Sequence, residues 1–441
     1  MIRSLPLAVL TRRRVVATGS RQSPLIKSRR DLCSAIFNDG FMIRSLPLAV
    51  LTRRHSICSE GIQCAMNPIN IKPLCGCSFR QRHSQARAFG LVLRFHLSIF
   101  FCALLTTLFA GTTQAQERGV RVVKNEASRR VDVFVDGQPF TAYVWPEKLK
   151  VPVLYPLRTA QGTIVTRGFP LEPRPGERVD HPHHAGFWLN YGNVNGVDFW
   201  NNSVALPPEQ QKKMGTVVLR RIMRATGGKD RGELEVETEW LMPDGQPILR
   251  EASTFVFRAA LNQRTVDRIT TLTALDKRVL FHDDKEGMLG MRVRRELEQP
   301  SNEPLAFTDS SGRPTTVKVL DNTGVTGQYR SSEGKTGDAV WGTRARWTML
   351  TGKVGQESIA LVILDHPRNT GFPTYWHARG YGLFAANPLG QEIFSNGKEK
   401  LNFTLEPKQT VTFRYRLLIL SGPTTPEQVE TQYRKFVSEV R

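Results

Sequence analysis

The stretch DHPHH, residues 180–184, places three histidines within four positions. An imidazole titrates near neutral pH, so it can pass protons or, when neutral, ligate a metal. The chain has nine histidines, and the six beyond residue 115 are His181, His183, His184, His282, His366 and His377. Each of these falls in a patch that also holds Asp, Arg, Trp or Asn. Besides DHPHH, the patches are FHDDKEG (281–287), LDHPRN (364–369) and PTYWHARGYGLFAANPLG (373–390).

Read as an extended segment, this stretch turns His181 and His183 to one side and His184 to the other. Together with a histidine such as His377, His181 and His183 could make a three-ligand site for a divalent metal. The same groups could instead transfer protons on a sugar without a metal, with His183, His184, His282 and His377 as acids or bases. Glu286 is the acid best placed to assist. Asp198, in NGVDFW, either joins them or caps a turn. Asp283 and Asp284 are neighbours, so on a strand only one could face His282. Arg379 suits an anionic or polyhydroxy substrate, and Asn387 could contribute hydrogen bonds. Trp188, Trp376 and Tyr381 offer flat faces to a sugar ring, or else fill the core. The alternative for DHPHH is a turn shaped by Pro182, its histidines bonded to backbone. No P-loop, GxSxG, HExxH or dinucleotide fingerprint occurs.

The elements that must position these residues read as strands. VDVFVDGQPFTAYVW (131–145) makes two around the turn Asp136-Gly137. GELEVETEW (232–240) alternates Leu234, Val236, Thr238 and Trp240 with four glutamates, a sheet with one wet face. After a turn at Asp244-Gly245, STFVF and VDRITTLTAL continue the pattern. SIALVILDH (358–366) is almost wholly apolar, which predicts an interior strand, and TVTFRYRLLIL (410–420) alternates again. One helix is predicted at the C-terminus, with Thr425 as N-cap, Pro426 at N1 and Gln428 completing a capping box. Its apolar stripe is Val429, Tyr433, Phe436, Val437 and Val440. Many strands and one helix predict an all-β fold, a large antiparallel β-sandwich. Residues 168–184 and 307–347 lack periodicity and read as site-building loops.

Residues 91–116, LVLRFHLSIFFCALLTTLFAGTTQAQ, have the layout of a secretory signal, with cleavage expected near Ala115/Gln116. Their apolar core is shorter than the ~20 residues a membrane span needs. An exported protein, periplasmic or extracellular, is therefore expected, without a stable membrane span after cleavage. Before residue 91, MIRSLPLAVLTRRR (1–14) recurs as MIRSLPLAVLTRRH (42–55), which reads as a non-native or disordered leader. Met66 is one alternative start. The folded domain is expected over residues 116–441.

That division changes the composition. All six cysteines lie before residue 116, so the remainder can form no disulfide framework. Residues 1–115 hold 16 Lys and Arg against 3 acids, leaving 45 against 37 in the rest, so only +8 of the net +21 belongs to the domain. A charge of that size, interspersed, reads as a solvated surface, and no nucleic-acid partner is expected.

VDHPHHAGFWLNYGNVNGVDFW (179–200), EGKTGDAVWGTRARW (333–347) and LDHPRNTGFPTYWHARGYGLFAANPLG (364–390), in this order, resemble the PmoA-like ("methane oxygenase PmoA") family of exported bacterial proteins of unknown function. The family pattern has Arg-Gly where this chain has Ala185-Gly186, so any substrate contact by that arginine is missing. The resemblance implies a large sandwich of the galactose-mutarotase-like kind, by analogy of fold alone. In that group sugars lie on a sheet face where His, Arg and acidic side chains move protons. Methane oxidation is not expected, because a membrane oxygenase subunit needs several apolar spans of ~20 residues. The expected function is thus an exported carbohydrate-active enzyme of epimerase, lyase or hydrolase type acting on a small sugar or glycan. The alternatives are a His-ligated metal enzyme such as an oxygenase, and a non-catalytic glycan-binding module.

Overall fold

The computed structural model describes residues 118–440. The leader, its repeat and the signal segment lie outside the described residues.

Two eight-stranded antiparallel sheets carry the fold. The first runs, in spatial order, Val120–Asn125, Arg130–Val135, Gln138–Val144, Val153–Leu154, Phe187–Tyr191, Gly287–Arg292, Leu383–Asn387 and Tyr375–Arg379. The second runs Gln328–Ser331, Trp347–Val354, Glu357–Asp365, Thr410–Ser421, Gln263–Ala274, Pro247–Ala260, Arg231–Leu241 and Thr216–Thr226. They share one core, as ring contacts between the sheets show: Phe140 meets Phe257 at 6.3 Å and Tyr329 meets Phe384 at 5.4 Å. The expected antiparallel β-sandwich is therefore what forms.

Alternation explains the second sheet. Leu234, Val236 and Trp240 enter the core, while Glu235, Glu237 and Glu239 pair with Arg224, Arg221 and Arg220 of the edge strand. Such exposed pairs add little stability, but they charge an edge that would otherwise invite pairing. Strand Glu357–Asp365 is apolar from Ile359 to Leu364 because both of its faces are covered there. Ile359, Leu361 and Ile363 face the other sheet, whereas Ala360, Val362 and Leu364 meet the C-terminal helix Pro426–Glu439. Val429, Tyr433 and Phe436 supply the helix's side of that contact, each large side chain contributing roughly 1.5–3 kcal/mol of burial. The capping box at Thr425 and Gln428 forms as expected.

Residues 307–347 depart from the expectation of an irregular loop. They hold most of the hairpin Leu305–Thr308/Pro314–Val317 and all of the edge strand Gln328–Ser331. Strands of four residues give too few alternations to be read. Among the described residues, no helix is long and apolar enough to cross a membrane.

Candidate functional site

Four neighbouring strands of the first sheet build the floor of a cleft. Antiparallel partners put their side chains on the same face, so Trp188, Gly290, Ala385 and His377 form one row across the sheet. Arg292, Leu383 and Arg379 form the next. The opposite face, with Leu289, Phe384 and Trp376, belongs to the core. Small residues in the middle of the row make room for the Trp188 ring beneath the site. Gly290 is required by its neighbour, since a Cβ there would lie 2.5 Å from the Trp188 ring.

The cleft holds about 330 Å³ and is lined by His181, His184, Asn201, Lys285, Glu286, Trp341, His377, Arg379 and Tyr381. It thus joins three of the four histidine patches. His366 goes elsewhere: its ring rests 5.2 Å from Phe436 of the C-terminal helix.

The DHPHH segment is a turn, which corrects the extended reading. His181 has φ of 43° and its carbonyl accepts from the His184 backbone N–H at 2.9 Å. The turn stacks His181 on His184 at 4.8 Å, with the rings parallel to within 2°, and sets His183 edge-on to both. Tyr381 continues the column above His181 at 5.1 Å, and Trp188 continues it below His184 at 5.2 Å.

Two buried arginines hold this turn. Arg167 donates to the carbonyls of Arg178, Asp180, His181 and His184 and to the Asp180 carboxylate. Arg292 donates to the same carboxylate oxygen at 2.7 Å, and its Nη1 lies 3.3 Å from His184 Nδ1. The other Asp180 oxygen takes His181 Nδ1–H at 2.8 Å. Burial works to raise the Asp180 pKa, but Arg292, the bond from His181 and Arg167 hold it well below the usual carboxylate range. On the far side of His184, the Trp200 indole N–H donates to Nε2 at 3.2 Å. Nε2 is therefore the accepting nitrogen and Nδ1 carries the proton, and burial pushes the ring's pKa far down. His184 is built to stay uncharged and to position its neighbours. His183 is likewise pressed down to about 3 by burial and by His181, and its Nε2 has no hydrogen-bond partner.

His377 has the opposite character. Its Nδ1–H donates to the Lys285 carbonyl at 2.9 Å, which fixes the tautomer and leaves Nε2 as the nitrogen with a lone pair. Burial lowers its pKa to about 4, outweighing the pull of Glu286, so the ring is neutral at pH 7. The Glu286 carboxylate lies 3.9 Å from Nδ1 and is paired with Lys285. Asn387 serves this arrangement from below, donating to the carbonyls of Asp284 and Lys285 at 2.8 and 3.0 Å. Arg379 stacks over Trp341 and Tyr381 at the mouth.

The remaining candidates lie outside the lining. Trp376 points into the core because alternation opposes it to His377, and its indole N–H goes to Ala345 O at 3.0 Å. Trp188 is fully buried beneath His184. Asp198 caps the turn at Trp200 and Asn201 through bonds of 2.8 and 2.9 Å. His282 ends the short strand Val279–Phe281, and its carbonyl accepts from Tyr191 Oη at 2.9 Å. Among the described residues, no three His, Cys, Asp or Glu side chains are grouped to hold a metal ion. His181, His183 and His377 are thus not drawn together into the three-ligand site that the sequence suggested. Sequence reasoning missed Lys285 and Trp341, which stood inside quoted motifs, Asn201, which follows one, and the two arginines. Arg292 left one trace, a charge ending the apolar run GMLGMR.

The chain matches the profile of DUF6807, a family of unknown function, over residues 130–434. It belongs to DUF6807. This corrects the PmoA-like resemblance, because no profile of that family matches. The motifs that suggested it, 179–200, 333–347 and 364–390, all fall within the DUF6807 match. No curated protein matches this DUF6807 chain. Solved structures similar to it include a GH36 alpha-galactosidase from Geobacillus stearothermophilus, at 10% identity over 68% of this chain and 41% of that one, with TM-score 0.31. A galactose 1-epimerase from Lactobacillus acidophilus NCFM is 11% identical over 69% and 99%, with TM-score 0.29. A putative aldose 1-epimerase from Escherichia coli K12 is 10% identical over 69% and 99%, with TM-score 0.24. The DUF6807 chain spans about two fifths of the galactosidase's length. Overlaps this loose carry nothing about its site.

Proposed function

We propose that this is an exported carbohydrate-active enzyme that moves protons on a sugar or glycoside. One observation carries the reading: His377 is a neutral base of fixed tautomer, with Nε2 unengaged, beside the Glu286 carboxylate in a cleft. A proton on a sugar hydroxyl needs a nearby acceptor, and a second proton-handling group must return one elsewhere on the ring. Tyr381 and Trp341 supply apolar faces for the sugar's C–H surface, while Lys285, Arg379 and Asn201 supply donors for its oxygens. His181 and His184 act through shape, holding Tyr381 and Trp188 in one column.

The test is a screen of the purified chain against aldoses, uronates and glycosides, followed by NMR for epimerisation, elimination and hydrolysis. Turnover that disappears in His377→Gln and Glu286→Gln supports the proposal. Binding of sugars without turnover would reassign the cleft to a glycan-binding module, and neither binding nor turnover would end the reading.

A further inference from the structure

A second depression adjoins the cleft. It holds about 400 Å³ and is lined in part by Gln299, Ser301, Glu303, Asp338 and Gly380. The two share Trp341, Arg379 and Tyr381, which form a ridge between them. Each is within the roughly 300–1,000 Å³ of pockets that hold small ligands. Gly380 keeps the second depression open, since a Cβ there would lie 2.9 Å from Gln299 Nε2. Gln299 in turn is tied to Asp338 at 2.8 Å, so this wall is fastened independently of the His377 cleft.

The charges along the groove are uneven. On the His377 side the cations are Lys285 and Arg379, and the one acid, Glu286, is taken by Lys285. Arg379 is exposed, and only the faces of Trp341 and Tyr381, at 5.7 and 5.8 Å, hold its guanidinium. Those stacking contacts leave its N–H edge available. Arg292, whose charge is shared with Asp180, lies behind Tyr381, 4.7 Å from the ring centre. On the other side Arg178 is paired with the buried Glu298, and Glu303 and Asp338 oppose an anion.

We propose that the two depressions are adjacent subsites for one acidic oligosaccharide of at least two rings, its anionic group held by Arg379 at the ridge. The ring bearing the anion lies on the His377 side, and its neutral neighbour lies against Gly380 and Gln299. This rests on the reading of the cleft as a sugar site and specifies the substrate class. A carboxylate and a sulfate ester present the same charge to a guanidinium, so either could fill the role.

Calorimetric titration of the purified chain with four ligands tests it: a neutral monosaccharide, a neutral disaccharide, a disaccharide with one uronate and one with a single sulfate. At least one acidic disaccharide should bind about tenfold more tightly than the neutral one, and the stronger of the two identifies the anion. The preference should weaken as salt rises and fall below about threefold in Arg379→Gln. Gly380→Leu, which fills the second depression, should collapse the ratio of disaccharide to monosaccharide affinity. Equal affinity for neutral and acidic disaccharides, or a preference untouched by Arg379→Gln, would overturn the proposal while leaving the sugar reading intact. Failure of every saccharide to bind would overturn both.

Discussion

His377 and Glu286 face each other across 3.9 Å without a hydrogen bond, because the His377 Nδ1 proton goes to the Lys285 carbonyl instead. The backbone oxygen sets the tautomer, so neither side chain is consumed in satisfying the other. His377 Nε2 stays open to substrate, and of the Glu286 carboxylate Lys285 takes Oε1.

Replacing either should therefore remove chemistry while sparing the fold. His377→Gln should lower kcat by about 10²–10⁴-fold, the usual worth of a positioned proton acceptor. Sugar affinity, measured by titration, should change far less. An unaltered kcat in His377→Gln would remove it from the mechanism.

The pH profile gives a separate check. Burial depresses the His377 pKa to about 4, so the basic form persists at every pH above that value. The acid limb of kcat/KM assigned to this group should fall near pH 4 instead of the ordinary 6.5. A limb at 6.5 that vanishes in His377→Gln would show the ring to be solvated.

The Arg167 clamp predicts a stability effect. Its guanidinium is buried and serves four carbonyls and the Asp180 carboxylate. Arg167→Ala removes a buried donor from all of these acceptors, leaving the Asp180 carboxylate to Arg292 and His181, and should cost about 3–5 kcal/mol in urea unfolding. The His181 ring resonances should also broaden, because the turn that orders them loses its anchor. A midpoint within error of the wild type would sink the assignment.

Why the sheets were legible and the cleft only partly so follows from burial. Leu234 to Trp240 alternate with glutamates because one face is wet, and the period of two is plain. The site strands Phe187–Tyr191, Gly287–Arg292 and Leu383–Asn387 are buried on both faces, so the period vanishes there. Residue types still marked the His377 and Glu286 patches. Nothing local marks Arg167, whose partners lie 11 to 17 residues away along the chain. The DHPHH turn needs a positive φ at His181, and a histidine rarely signals that in sequence.

Gly290 tests the floor of the cleft. A Cβ at this position would lie 2.5 Å from the Trp188 ring, which has no free space to retreat into. Gly290→Ala should cost about 1–3 kcal/mol by overpacking and shift the emission of Trp188 as its contact with His184 changes. An unchanged melting temperature and spectrum would mean that the floor yields.

Asp365 makes the last prediction, because its charge is buried where the fold does not reward it. Burial raises its pKa from the ordinary 3.8 to about 7, although bonds from Asn369 and the Thr374 N–H pull the other way. The folded state thus holds this proton more tightly than the unfolded chain does. Its contribution to stability is full below about pH 4 and is lost as the pH rises toward 7, on the order of 4 kcal/mol in all. Asp365→Asn removes the titration. The amide keeps an acceptor for Thr374 but turns a second donor toward Asn369, so the variant starts lower at acid pH. Between pH 4 and 7 the wild type should then lose stability relative to the variant, and the two curves of unfolding free energy against pH should converge. Parallel curves across that range would show that Asp365 titrates normally in the folded protein.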